Sequence, residues 1–109
     1  MFNVIETPKF SRMVTVKVPK GDGYNEATFN GHFQVIEEDE YAAVTMGEVE
    51  KTKELLRKCW IGADDLVGDD DTPMPWDTAL RDRMLGRAYV RLAVLGTYLD
   101  TVATLRPGN

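Results

Sequence analysis

His32 is the only histidine of the chain, and histidine is the side chain best suited to move a proton near neutral pH. It falls in an alternating run whose polar side is Thr28, Asn30, His32 and Gln34, where an imidazole is expected to meet solvent or a neighbouring strand. The single cysteine, Cys59, stands beside Trp60 at the end of a helical stretch. A helix C-terminus raises a thiol pKa, and only Arg57 and Lys58 nearby act to lower it, so a small buried residue is expected there, not a nucleophile. One cysteine cannot close an internal disulfide, so no oxidising compartment is required, and no Cys/His spacing fits zinc. Gly21-Asp22-Gly23 lacks the third glycine and the following helix of a dinucleotide-binding turn and is expected to turn a hairpin.

Asp64, Asp65, Asp69, Asp70 and Asp71 place five carboxylates within eight residues and raise the question of calcium. An EF-hand loop needs oxygen ligands at its first, third and fifth positions, glycine at the sixth and glutamate at the twelfth. Counting from Asp65 puts Val67 third, and counting from Asp69 puts Pro73 fifth, so both registers fail. The expected reading is an acidic connecting loop, with a nonspecific cation site as the alternative. No catalytic, cofactor-binding or metal-ligating residue is assigned.

The elements that must position these residues divide the chain in two. In Met13-Val14-Thr15-Val16-Lys17-Val18 the valines alternate with polar residues, the period of a strand with one buried face. Pro19 is expected to stop that strand, and Lys20 to Asn25 to form a longish loop before Phe29, Gly31, Phe33 and Val35 line one face of a second strand. The result is an antiparallel hairpin over about 12–36, too small to be stable without a cover on its apolar face. Glu37 to Glu40 precede Tyr41-Ala42-Ala43-Val44 and suit the positive end of a short helix. Thr45 and Glu48 have capping-box spacing and are expected to open a second helix that turns Val49, Leu55, Leu56 and Cys59 inward and ends at Trp60-Ile61. Gly62 then begins a loop that runs to Met74. From Leu80, the residues Met84, Ala88, Leu92, Leu95, Leu99 and Val102 form a ridge at steps of three and four, interrupted at Gly86, which predicts helices near 77–84 and 86–104. Arg83, Arg87 and Arg91 make a basic stripe beside the ridge, with Val90 and Val94 near it. The fold class expected is α+β, one domain over 1–109, with the N-terminal antiparallel hairpin packed against a small bundle of three to four C-terminal helices.

The 109 residues suffice for one core and leave no room for a second, and a hydrophobic content of 43% with 28% charged residues is that of a globular chain. Net charge is −5 and the pI about 4.8, which disfavours nucleic acid as a general partner. No apolar run approaches the roughly 20 residues that cross a bilayer, and Asn3, Glu6, Pro8 and Lys9 interrupt the first ten, so neither membrane nor secretory signal is expected. The charge is uneven: residues 1–20 carry +3, residues 21–77 carry −11 and residues 78–109 carry +3. Two readings of the acidic middle stay open, a solvated face with a polar loop or a docking surface for a basic partner or a second copy.

The run Cys59-Trp60-Ile61-Gly62-Ala63-Asp64-Asp65-Leu66, then Asp69-Asp70-Asp71-Thr72-Pro73-Met74-Pro75-Trp76-Asp77, then Leu80, Leu85 and Tyr89, resembles the small tail assembly chaperones of long-tailed (siphovirus-type) phages and prophages. The first third is similar too, with a Val-rich strand up to Pro19, a Gly-Asp turn, Phe29-Asn30-Gly31-His32-Phe33 and an acidic helix start, so the resemblance covers most of the chain. It departs at Trp76, where a phenylalanine is expected, and at Gly68, which precedes the aspartates instead of standing among them.

What the resemblance implies is a non-enzymatic assembly factor. Such chaperones coat the tape measure protein, recruit the tail tube protein that displaces them, work in the host cytoplasm and are missing from the mature virion. A structural virion component, such as a head–tail connector or tail completion protein, is the alternative. The separated charges suit head-to-tail homo-oligomers, with Asp69, Asp70 and Asp71 in the acidic stretch of one copy facing Arg83, Arg87 and Arg91 of the next. Val90 and Val94 are expected as exposed apolar client contacts in a groove between the terminal helix and its neighbour, with a place in the buried core as the alternative.

Overall fold

The computed structural model describes residues 1–41 and 48–104. Within them the order is β1 (Lys9–Lys20), β2 (Gly23–Gln34), α1 (Glu38–Tyr41), α2 (Val49–Cys59), β3 (Trp60–Asp64), α3 (Thr78–Leu85) and α4 (Ala88–Thr104). The fold is α+β: an antiparallel sheet of order β1-β2-β3, begun by the N-terminal hairpin and followed by the helices.

The hairpin is longer and its turn tighter than expected. Lys20 pairs with Gly23, so only Gly21 and Asp22 make the turn, and Gly21 takes a φ of 58° at the first of the two positions, as a type II′ hairpin turn requires. Pro19 does not stop β1 but lies inside it opposite Tyr24, which an edge strand tolerates because its outer N–H has no partner to lose. Val14, Val16, Phe29, Gly31 and Phe33 are buried on the inner face, while Ser11, Met13, Thr15 and Lys17 are exposed on the outer one. Gly31 is required by the packing: a Cβ there comes within 2.8 Å of the Phe33 ring and 3.2 Å of Val14.

A third strand replaces the expected end of helix and start of loop at Trp60 to Asp64. Ala63 faces Gly31 and Gly62 faces His32, but Phe33 pairs with Trp60, so Ile61 is the extra residue of a bulge. That bulge lets Trp60 and Ala63 both turn into the core, and it breaks the period-2 pattern by which the strand is recognised in sequence.

Helix α2 buries Thr52, Leu55, Leu56 and Cys59, while Val49, expected inward, is exposed. The helix starts directly after Glu48, whose carbonyl accepts from the Thr52 N–H at 2.9 Å and whose side chain makes no capping bond, so Glu48 is not the third residue of a capping box. The expected partner Thr45, the stretch Ala42-Ala43-Val44 and the Arg106–Asn109 tail lie outside the described residues. Asp77 caps α3 by accepting from the Leu80 N–H at 2.7 Å, and Gly86 ends it.

Helix α4 lies across the inner face of the sheet, chiefly on β1. Its buried side is Val90, Val94, Leu95, Tyr98, Thr101 and Val102, rotated from the expected ridge, which leaves Leu92 and Ala88 exposed. Val90 (7% exposed) and Val94 (0%) are therefore core residues and not the exposed apolar positions expected. Tyr98 sets the rotation, because its ring meets Phe10 at 6.0 Å and Phe33 at 6.1 Å, and its hydroxyl accepts from the Ile36 N–H at 3.1 Å.

Two outcomes follow from this packing. Gly31→Ala is expected to destabilise the fold by about 1–3 kcal/mol by overpacking, against a change within about 0.5 kcal/mol for Gly23→Ala in open space, both read by urea unfolding. Slight burial raises the Asp82 pKa, but hydrogen bonds and charge from Arg81 and then Arg57 outweigh it and hold the carboxyl below its ordinary value of 3.8. The stabilisation is thus complete above that value and disappears as pH falls through the depressed one, so Asp82→Asn should lower the urea midpoint at pH 7 and leave it unchanged once Asp82 is protonated.

Candidate functional site

Three polar side chains line up across the outer face of the sheet, one per strand. Ser11 pairs with His32 in the β1–β2 register, and its hydroxyl lies 2.7 Å from His32 Nδ1, while His32 Nε2 lies 2.7 Å from Asp64 Oδ2. A carboxylate only accepts, so in the neutral ring Nε2 carries the proton and Nδ1 accepts from the Ser11 hydroxyl. Gly62 makes room for this chain, because a Cβ there lies 3.2 Å from His32 Cδ2. The alternation places His32 on the polar side, as the sequence suggests; the two partners could not be named without register, and Asp64 belongs to the strand hidden by the bulge. The order serine–imidazole–carboxylate is that of a proton relay. Here it lies on an open face, and neither of the grooves beside the aspartate loop takes Ser11 or His32 into its lining. What it does in the fold is tie all three strands together on their solvent side. Cys59, in contrast, is buried, and burial pushes its thiol pKa up to about 12, which leaves it protonated and unreactive at neutral pH.

The aspartate loop is ordered by its own backbone. Gly68 N–H donates to Thr72 O at 2.7 Å, Thr72 N–H to Asp69 O at 3.1 Å and Met74 N–H to Leu66 O at 2.8 Å, and Val67 bridges to Pro73. The segment is thus a short hairpin whose tip puts Asp70 and Asp71 at φ of 57° and 56°, a left-handed conformation that aspartate tolerates better than most residues. All three tip carboxylates, Asp69, Asp70 and Asp71, are exposed.

This small hairpin carries a groove on either side, with Leu66, Val67 and Met74 shared between them. One runs toward β3 and Trp76, with Asp64 and Asp65 at its edge, and is mainly apolar. The other lies against α3, is lined by Leu80, Met84, Asp69, Arg83 and Arg87 besides the three shared residues, and is more polar than apolar. The structure therefore brings two arginines of the expected stripe to one groove and separates the third. Arg91 folds back and donates from Nη1 to Leu85 O at 2.8 Å, capping the C-terminal end of α3. Among the described residues neither Arg83 nor Arg87 has a carboxylate partner.

Sequence reasoning placed the charges of this surface but missed its apolar residues. The signal was present as Leu66, Val67 and Met74, three large apolar residues in what is otherwise a polar connector. Val67 is 55% exposed and Met74 36% exposed, so they remain open to contact.

If the relay is a strand tie, a double-mutant cycle of Ser11→Ala and Asp64→Asn through His32 should give a coupling of at most about 1 kcal/mol in urea unfolding, the size of partly exposed pairs. Comparison of the chain with protein families, with curated proteins and with solved structures finds no match in any of the three.

Proposed function

We propose that the protein is a non-enzymatic tail assembly chaperone of a long-tailed phage or prophage, which coats the tape measure protein and recruits tail tube subunits. It acts as a homo-oligomer in the host cytoplasm and leaves the virion before completion. The reading rests on the resemblance carried by Cys59 to Asp77 and on one structural observation that supports it. That observation is the cluster Leu66, Val67 and Met74, apolar side chains on a hydrogen-bonded loop of which Val67 and Met74 are exposed, lining two grooves that also take in Asp64, Asp65, Asp69, Arg83 and Arg87. Apolar surface with a polar rim is what a protein needs in order to cover the apolar stripe of another chain until its permanent partner arrives.

Arg91 and the two valines are accounted for inside the fold, so the client contacts are reassigned to the grooves and the oligomer to the exposed acids and to Arg83 and Arg87. Co-expression tests the reading directly. A tape measure protein of such a phage should be insoluble when made alone and soluble when made with this chain, and purified tails should lack the chain. A tape measure protein whose solubility is indifferent to the chain overturns the proposal, as does a stoichiometric amount of the chain in finished particles, which is the behaviour of a structural component.

A further inference from the structure

We infer that the outer edge of β1 is the contact of a two-fold dimer, in which β1 pairs antiparallel with β1 of a second copy and the two sheets become one. The inference names a surface for the homo-oligomer of the proposed function and rests on that reading only for there being an oligomer. β1 is an edge strand, since the sheet order is β1-β2-β3. Lys20 and Gly23 flank a two-residue turn and so exchange both hydrogen bonds, and at the other end of the hairpin Val35 N–H donates to Pro8 O at 2.9 Å. Even-numbered residues of β1 therefore face β2, and Ser11, Met13, Thr15 and Lys17 turn their N–H and C=O groups outward. Among the described residues nothing takes these groups. Helix α4 leaves the edge open. Tyr98 rests on both Phe10 and Phe33 and takes the Ile36 N–H, which holds the helix over the inner face toward β2, and the four outward-turned residues are all exposed.

Lys9, Arg12, Lys17 and Pro19 are residues of the kind that hinder strand pairing, so they decide which partner and which register this edge accepts. With Val14 opposite Val14 of the copy, Met13 meets Thr15 and Ser11 meets Lys17 on the outer face, and every outward N–H and C=O from Ser11 to Lys17 finds a partner. On the inner face Arg12 lies opposite Val16, and Phe10 and Val18, each half-buried in one chain, cover one another. No like charges oppose. The next register on one side sets Lys9 against Lys17 of the copy, and the one after it sets Arg12 against Arg12. The next register on the other side sets Ser11 against Pro19, which has no N–H to give. What selects a copy over an extended segment of another protein is that β1 itself meets these conditions, and a two-fold contact meets each of them twice. The exposed acids with Arg83 and Arg87 then join one pair to the next.

Sedimentation of the full chain is the test. The unaltered chain should run as a concentration-dependent dimer that persists in about 0.5 M NaCl, where contacts between exposed charges are screened. Thr15→Pro removes an outward N–H and no hairpin bond, as Pro19 already does on the same edge. It should weaken the dimer at least about ten-fold, by leaving a carbonyl unpaired on each side of the two-fold. Met13→Lys with Thr15→Lys should weaken it too, because the new charges oppose across the contact, whereas Met13→Glu with Thr15→Lys should keep it. The circular dichroism spectrum and urea midpoint of each variant check the fold. A chain that is monomeric throughout, a dimer that salt dissolves, or a dimer that ignores both Thr15→Pro and the lysine pair overturns the inference. So does a loss that Met13→Glu with Thr15→Lys fails to prevent, which removes the register. A monomer that binds the tape measure protein through an edge sensitive to Thr15→Pro assigns the edge to an extended client and overturns self-pairing. Solubilisation of the tape measure protein is read separately: its failure with the dimer intact removes the chaperone reading alone, and its success with a monomeric chain removes this inference alone.

Discussion

The burial of Trp60 is the constraint on which most of this structure depends. The residue follows the last turn of α2 directly, and its backbone N–H still donates to Leu56 O while its own φ and ψ are already those of a strand. No linker separates helix from sheet, so the indole must be inside for the chain to change direction there. It stacks on Phe29 at 5.8 Å, meets Trp76 edge-on at 4.8 Å, and donates from Nε1 to Gly62 O at 2.9 Å. A buried indole N–H without a partner is costly, and the bulge at Ile61 brings the Gly62 carbonyl within its reach. Through Trp76 the same ring anchors the far end of the aspartate loop, so the grooves inherit their position from the core.

A second aromatic group closes the other end. Phe10 and Phe33 stack at 5.2 Å on the inner sheet face, and Tyr98 of α4 rests on both. Between the two groups the valines and leucines of β1, α2 and α4 fill the interior. The first half of β2, from Gly23 to Thr28, is exposed, and the molecule measures 47 × 28 × 25 Å. Twelve-residue strands span about 40 Å, so the hairpin accounts for the long dimension and reaches beyond what α4 and β3 cover.

The charge pattern acquires a different meaning in three dimensions. As a sequence it is an acidic middle between basic ends, which suggests acid on one copy facing base on the next. In the fold, Asp69, Arg83 and Arg87 line one groove of the same chain, and Arg91 belongs to a helix cap. Polarity thus lies across a groove a few residues wide and not only between the ends of the molecule.

The sequence by itself determined the class and order of the early and late elements. Alternation in Val14, Val16, Phe29 and Phe33 defined the sheet face, Asp77 and Gly86 defined the limits of α3, and the polar placement of His32 followed from the same alternation. These features are local, since each depends on a backbone period or on a cap within one turn. Tertiary structure decided the rest. Helix α4 is apolar on several sides, so its pattern made it a helix without saying which side is covered; the rings of Phe10 and Phe33 selected Tyr98, Val94 and Val90 over Leu92. Strand β3 was hidden because a bulge destroys the alternation that marks a strand, and only pairing with β2 makes Trp60 to Asp64 extended. The Ser11–His32–Asp64 chain and the grooves depend on that pairing and on the loop folding back, and contacts between residues so far apart in sequence leave no periodic trace in it.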